Sequence, residues 1–280
     1  RGTTDRAMMT IILEELKQKY ESKYMNGKSR HAEVSRLECK LVGKQMPGYD
    51  VRLGFMEFIG PEFPEIAEEM IKDGIKKIVF LHMLQTDSTH TGEINEKIHE
   101  MKLAERGVKY VISKPLFYRP EPTQLVIEKI IKLAGTTPYD QVGVVLASHG
   151  EPEEWIKSNL LNTKCKEQEL AFCACVKKGL VERGFSWENL TQGFNEFQHP
   201  ELPEAVELLA EKKVTKVVVT PSFGTTEGMH ISYDIPTKAR TALVDPSIEL
   251  AYTGGWNDNP LLIKAWVELA KDSLKQLQAM

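Results

Sequence analysis

Three polar residues in the C-terminal half have the right types to bind a metal ion together: His149, Glu196 and His230. Each lies beyond an apolar, strand-like run. His149 follows Val144-Val145-Leu146-Ala147-Ser148, Glu196 follows Leu190 to Phe194, and His230 follows Val217-Val218-Val219-Thr220. Parallel strands deliver such residues to one edge of a sheet, where open α/β folds build their sites. Two imidazoles and a carboxylate suit Fe, Co, Ni or Zn as divalent ions, and three protein ligands leave positions open for water or a substrate nitrogen. Each residue alone has a plainer reading. A histidine after a strand is commonly a loop residue bonded to backbone, and Glu196 can cap the helix that follows it. Joint placement at three adjacent strand ends favours the chemical reading.

The elements that must position these residues occur twice. Gly54-Phe55-Met56-Glu57-Phe58-Ile59-Gly60-Pro61-Glu62-Phe63-Pro64-Glu65 aligns without a gap on Gly193-Phe194-Asn195-Glu196-Phe197-Gln198-His199-Pro200-Glu201-Leu202-Pro203-Glu204, with eight of twelve positions identical. Each copy runs into a helical pattern, then a basic-then-apolar strand, then a loop histidine, His90 or His230. Downstream, prolines introduce the helices Gln124–Ala134 and Leu261–Leu277. Strands alternating with long helices predict parallel α/β sheets. Four strands are expected in the second half, near Val142–Ala147, Leu190–Phe194, Val214–Thr220 and Ile248–Ala251, and three in the first. Gly135-Thr136-Thr137-Pro138-Tyr139-Asp140 is the natural joint, giving an N-terminal repeat over 1–137 and a C-terminal repeat with the metal site over 138–280. Arg1-Gly2-Thr3-Thr4 falls where the second half has His149-Gly150-Glu151-Pro152, so the first half is expected to lack its first strand.

Composition excludes other classes. A net charge of -4 with no basic stripe gives no footprint for nucleic acid. No apolar run approaches the ~18 residues of a membrane span, and the cytoplasm is the default compartment. Cys165, Cys173 and Cys175 form C-x7-C-x-C in a helical stretch. They read as ordinary thiols; a metal or iron–sulfur site would need a paired C-x2-C and a fourth ligand. Trp155, Trp187, Trp256 and Met229 are candidates to line an apolar cleft, with core packing the competing role. His82 reads as a packing residue at a strand end, His31 and His99 as solvated, and Asp234-Ile235-Pro236 as the start of a helix. Oligomeric state is left open, a homo-oligomer included.

Ser148-His149-Gly150, Gly193-Phe194-Asn195-Glu196-Phe197 with Pro200-Glu201, Pro221-Ser222-Phe223 through Gly228-Met229-His230 to Asp234-Ile235-Pro236, and Gly254-Gly255-Trp256-Asn257-Asp258-Asn259-Pro260 resemble the class II tetrapyrrole chelatases. These are the sirohydrochlorin cobaltochelatases and, more distantly, the protoporphyrin ferrochelatases. The resemblance covers nearly the whole chain. It implies two flavodoxin-like halves, each with a parallel four-stranded sheet flanked by helices, enclosing a cleft for a macrocycle. It further implies that His149 and His230 hold a divalent metal with Glu196 between them. The metal is substrate, Co2+ for sirohydrochlorin, with Fe2+ or Ni2+, or protoporphyrin as the ring, as alternatives; a non-catalytic metal or tetrapyrrole carrier is the competing class. The partner is a small acidic tetrapyrrole, and no organic cofactor is expected. In the first half His90 and Glu57 persist, while Arg1 stands where the pattern has a histidine. Arginine stays protonated and cannot ligate a metal. Arg1, Glu57, His90 and His199, which follows Glu196 by three positions, are therefore candidates for substrate binding.

Overall fold

The computed structural model describes residues 6–23, 25–56, 59–158 and 163–280. The chain opens with helices α1 (Arg6–Glu21), α2 (His31–Gln45) and α3 (Phe63–Lys72), then strand β1 (Lys77–Phe80), α4 (Thr89–Glu100), β2 (Lys109–Ile112) and α5 (Glu121–Ala134). The second half continues with β3 (Val142–Ser148), α6 (Glu153–Ser158), α7 (Cys165–Val181), β4 (Leu190–Phe194), α8 (Leu202–Ala210), β5 (Lys216–Pro221), α9 (Ile235–Ala242), β6 (Glu249–Tyr252) and α10 (Pro260–Ala279). No helix of the described residues is long and apolar enough to cross a membrane.

The four expected strands of the second half form one parallel sheet in the order β4-β3-β5-β6. β3 is apolar throughout because successive side chains enter different cores. Val142, Val144 and Leu146 pack with Leu125, Ile130, Phe172, Val176 and Trp266 from α5, α7 and α10. Val145 and Ala147 pack with Leu202, Val206, Leu209, Ile235 and Ala239 from α8 and α9. The helix after β3 thus covers one face and the helix after β5 the other. The crevice where chain direction diverges lies between the carboxyl ends of β3 and β5, the place where an open sheet builds its site.

Among its described residues the first half has two strands, β1 and β2, rather than three. The reason lies in strand pairing. β4 pairs only with β3, and the described residues of the first half contain no counterpart of β3. Residues 51–55, which align with β4, therefore have no ladder to join, and an extended segment without a partner does not persist as a strand. Only the bridge Phe55↔Glu62 remains, twin of Phe194↔Glu201. The rest of the repeat unit is intact. Each copy has Gly-Pro or His-Pro in cis and a capping box, Glu62 with Glu65 and Glu201 with Glu204.

The last helix of each half packs on the other half. α5 lies against α7 and β5, whereas α10 lies against α2, β1 and β2. A lysine holds each carboxyl end: Lys216 donates to the Leu133 carbonyl at 3.2 Å and Lys109 to the Met280 carbonyl at 2.7 Å. Cations at helix C-termini are favourable. The expected joint at Gly135–Asp140 lies between α5 and β3, at a point where packing is continuous rather than broken.

Candidate metal centre

The ends of β3, β4 and β5 are tied together before any ligand appears. Ser148 and Ser222 share a hydrogen bond at 3.0 Å, and Gln192 donates to the Ser148 hydroxyl at 2.9 Å. Beyond the strands, Asn195 N–H donates to the Ser148 carbonyl and Glu196 N–H to the His149 carbonyl, at 2.7 and 3.1 Å. The loops bearing His149 and Glu196 are thereby held side by side.

His149, Glu196 and His230 converge: one ligand atom from each lies within 4.8 Å of the others. A first-row ion bonded at ~2.1 Å to each would draw these atoms in by roughly 1 Å. The imidazoles meet edge to face, with ring centroids 5.1 Å apart. Nδ1 of each ring faces an acceptor. His149 Nδ1 donates to the Gly150 carbonyl at 2.7 Å, and His230 Nδ1 donates to Asp234 Oδ2 at 2.8 Å, since carbonyls and carboxylates only accept. With Nδ1 protonated, Nε2 of each ring carries the lone pair a metal ligand requires; the other polar neighbours of His230 Nδ1 are Asn195 Nδ2 at 3.2 Å and Glu196 Oε1 at 3.7 Å. Burial holds the His149 pKa below its usual value and so favours the neutral, ligating form.

Two buried carboxylates support this geometry. Glu169, on α7, accepts the backbone N–H groups of His149 and Gly150 at 2.8 and 3.2 Å. Burial raises its pKa to about 7, against the lowering effect of those two donors. Asp234 is oriented on His230 from a π-helical turn, His230–Asp234. Burial works against the Asp234 charge, but hydrogen bonds from His230 and Lys19 outweigh it and hold the carboxyl below its ordinary range. Asp234 stands at the start of α9, as expected, but that is not its only role: its side chain makes no cap bond and accepts from His230 instead. The spacing His230-x3-Asp234 on a helical turn was the available signal. Glu169 carried none, since it reaches the site from another element.

Gly150 is required by the same loop. Its φ is +86°, and a Cβ there would lie 2.1 Å from the Glu196 carbonyl oxygen. Gly150→Ala should therefore destabilise the protein by more than about 1 kcal/mol and weaken Co2+ binding. Unchanged urea midpoint and Co2+ affinity would show that this close approach is not needed.

Of the remaining candidates, His90 lines the same hollow of about 120 Å3 as His149, Trp155, Phe197 and Phe223, and its Nδ1 lies 3.3 Å from Glu93. Phe197 holds a left-handed φ of +65° beside Glu196 with its ring exposed. His199 is exposed and bonds Glu204 at 3.2 Å, on the flank of α8. Arg1 and Glu57 lie outside the described residues. Trp256 is buried in the core, donating from Nε1 to the Pro221 carbonyl, and Trp187 is exposed. His31 is not solvated as expected: it is half-buried and bonds Thr226 Oγ1 at 2.6 Å. Cys165 and Cys173 are buried and Cys175 is exposed. Among the described residues no cysteine joins a group able to hold a metal.

A family model for ferrochelatase matches residues 3–274. Among solved structures, SirB from Bacillus subtilis with Fe3+ superposes with a TM-score of 0.65 at 18% identity, over 90% of this chain and 94% of that one. The sirohydrochlorin chelatase SirB from Bacillus subtilis subspecies spizizenii, in complex with cobalt, gives 0.56 at 16% identity, over 88% and 92%. CbiX, described as the terminal enzyme for siroheme biosynthesis in denitrifying bacteria, gives 0.56 at 18% identity, over 87% and 92%. At these identities the likeness is one of fold. No curated protein sequence matches the chain. With the family model spanning both halves and the chelatase fold around the centre, the chain belongs to the ferrochelatase family.

Proposed function

We propose that the chain inserts a divalent metal ion into an acidic tetrapyrrole, with Co2+ and sirohydrochlorin as its substrates. The observation that carries this reading is the convergence of His149, Glu196 and His230 at the β3/β5 crevice. Insertion requires that a hydrated ion lose its waters and that two pyrrole N–H protons leave as the ring takes the metal. Neutral imidazoles replace the departing waters without adding charge. Glu196 offsets part of the ion's charge and accepts released protons, aided by its half-exposed position. Trp155, Phe197 and Phe223 offer apolar walls for a flat ring beside His149. The SirB structures with Fe3+ and with cobalt are consistent with either metal. We place the boundary between the two repeats at 137/138, the second carrying the metal site and the first bracing it.

The test is a panel of Co2+, Fe2+ and Ni2+ against sirohydrochlorin and protoporphyrin, read by absorbance. Fastest insertion with Co2+ and sirohydrochlorin is expected. Ring or metal binding with no insertion above the protein-free rate would instead mean a carrier. Glu196→Gln should lower turnover about 10-fold, less than loss of either histidine, because its charge helps the ion without being its main anchor. A kcat equal to wild type would remove Glu196 from the centre.

A further inference from the structure

The loop bearing His230 is held from the opposite end of the chain. Lys19 stands in the last turn of α1, and its ammonium lies 2.9 Å from Asp234 Oδ1. The other oxygen of that carboxylate, Oδ2, accepts the His230 Nδ1–H at 2.8 Å. One carboxylate is thus divided between a lysine and an imidazole. Its side chain is 7% exposed against 33% for Lys19, so Lys19 is the cation that balances a nearly dry charge. Tyr233 adds its ring face, 5.9 Å from the ammonium.

Two further contacts from the turn before α2 and its first residue fix the same loop. Arg30 pairs with Glu227 at 2.7 Å, and His31 bonds Thr226 at 2.6 Å. Asn257 donates to the other Glu227 oxygen at 2.8 Å. The segment from the end of β5 through His230 to Asp234 is therefore fastened at Thr226, Glu227 and Asp234, by His31, Arg30 and Lys19 respectively. The first half, which lacks a histidine pair of its own among the described residues, contributes these fastenings.

We propose that Lys19 is a positioning residue for the metal: acting through Asp234, it fixes the His230 ring so that its bare nitrogen is presented for ligation. This rests on the reading of His149, Glu196 and His230 as the metal centre. A carboxylate pinned by a cation on one oxygen has one orientation left for the other. Outer partners that orient a ligating histidine contribute about 10- to 100-fold to metal affinity.

The experiment is a Co2+ titration of the full chain without ring, following cobalt absorption, with urea midpoints in parallel. Lys19→Met keeps the aliphatic stem and removes the charge; its Co2+ Kd should rise by about 10-fold or more. Lys19→Arg should restore affinity toward wild type. In an Asp234→Ala background, Lys19→Met should cause no further loss, because the effect travels through that carboxylate. Lys19→Gln serves the same purpose if the methionine variant aggregates. Wild-type Co2+ affinity in Lys19→Met, whatever its urea midpoint, would overturn the inference, provided His230→Ala still loses Co2+. Unchanged affinity in His230→Ala as well would overturn the metal centre together with it.

Discussion

His149→Ala and His230→Ala should each slow metal insertion by more than about 100-fold, the upper end of what an outer-sphere partner contributes. Among the described residues, each ring supplies one of the two imidazole ligands that converge with Glu196. A carboxylate alone cannot both strip the ion of water and hold it at the crevice. Stability should fall by about 1 kcal/mol or less. The His149 loop keeps its shape without the ring, since Glu169 holds backbone N–H groups and Gly150 packs against the Glu196 carbonyl. Asp234 keeps Lys19 when His230 is truncated. Initial rates by absorbance and urea midpoints, measured together, check both halves of this expectation. A variant with normal turnover would remove that histidine from the centre, and a large loss of stability would make it structural.

Glu38→Gln should stabilise the protein by about 3 kcal/mol at pH 7, the largest gain expected from any single change here. Glu38 lies on α2, fully buried, and neither carboxylate oxygen has a hydrogen-bond partner among the described residues. Burial, with a smaller contribution from the Asp258 charge, raises its pKa from 4.5 to about 9. The folded state therefore binds one more proton than the unfolded state between those values, and stability falls as pH rises through that window. At about 1.36 kcal/mol per pH unit, holding the acid neutral costs about 3 kcal/mol by pH 7. Glutamine is neutral at every pH and escapes this cost. Urea midpoints of wild type and Glu38→Gln should nearly coincide at pH 5 and separate by pH 7.5. A variant less stable than wild type at pH 7.5 would show that the Glu38 carboxylate has a stabilising partner.

The parts of the molecule that were legible in the sequence are those set by local pattern. The central strands β3 and β5 are runs of buried residues covered on both faces, so their apolar character is nearly continuous and easily located. The strand ends then place His149, Glu196 and His230 on one edge by topology alone. What was not legible depends on distant partners. Residues 51–55 have the composition of a strand but no neighbour to pair with. The exchange of α5 and α10 between sheets follows from packing that no local period records. Asp234 looked like a helix start because a carboxylate before Ile235-Pro236 has that role by default. Its service to His230 shows only once the π-helical turn places the two side chains together. His31, polar and near a helix start, gave no sign that Thr226 would enclose it.

One rate tests metal insertion by this chain most directly. Sirohydrochlorin and Co2+ are mixed with wild type, with His230→Ala, and without protein, and the absorbance change is followed under identical conditions. Wild type should metallate the ring well above the protein-free rate, and His230→Ala should fall back to it. A wild-type rate equal to the protein-free rate, with the ring and metal both bound, would contradict the claim that this chain inserts the ion.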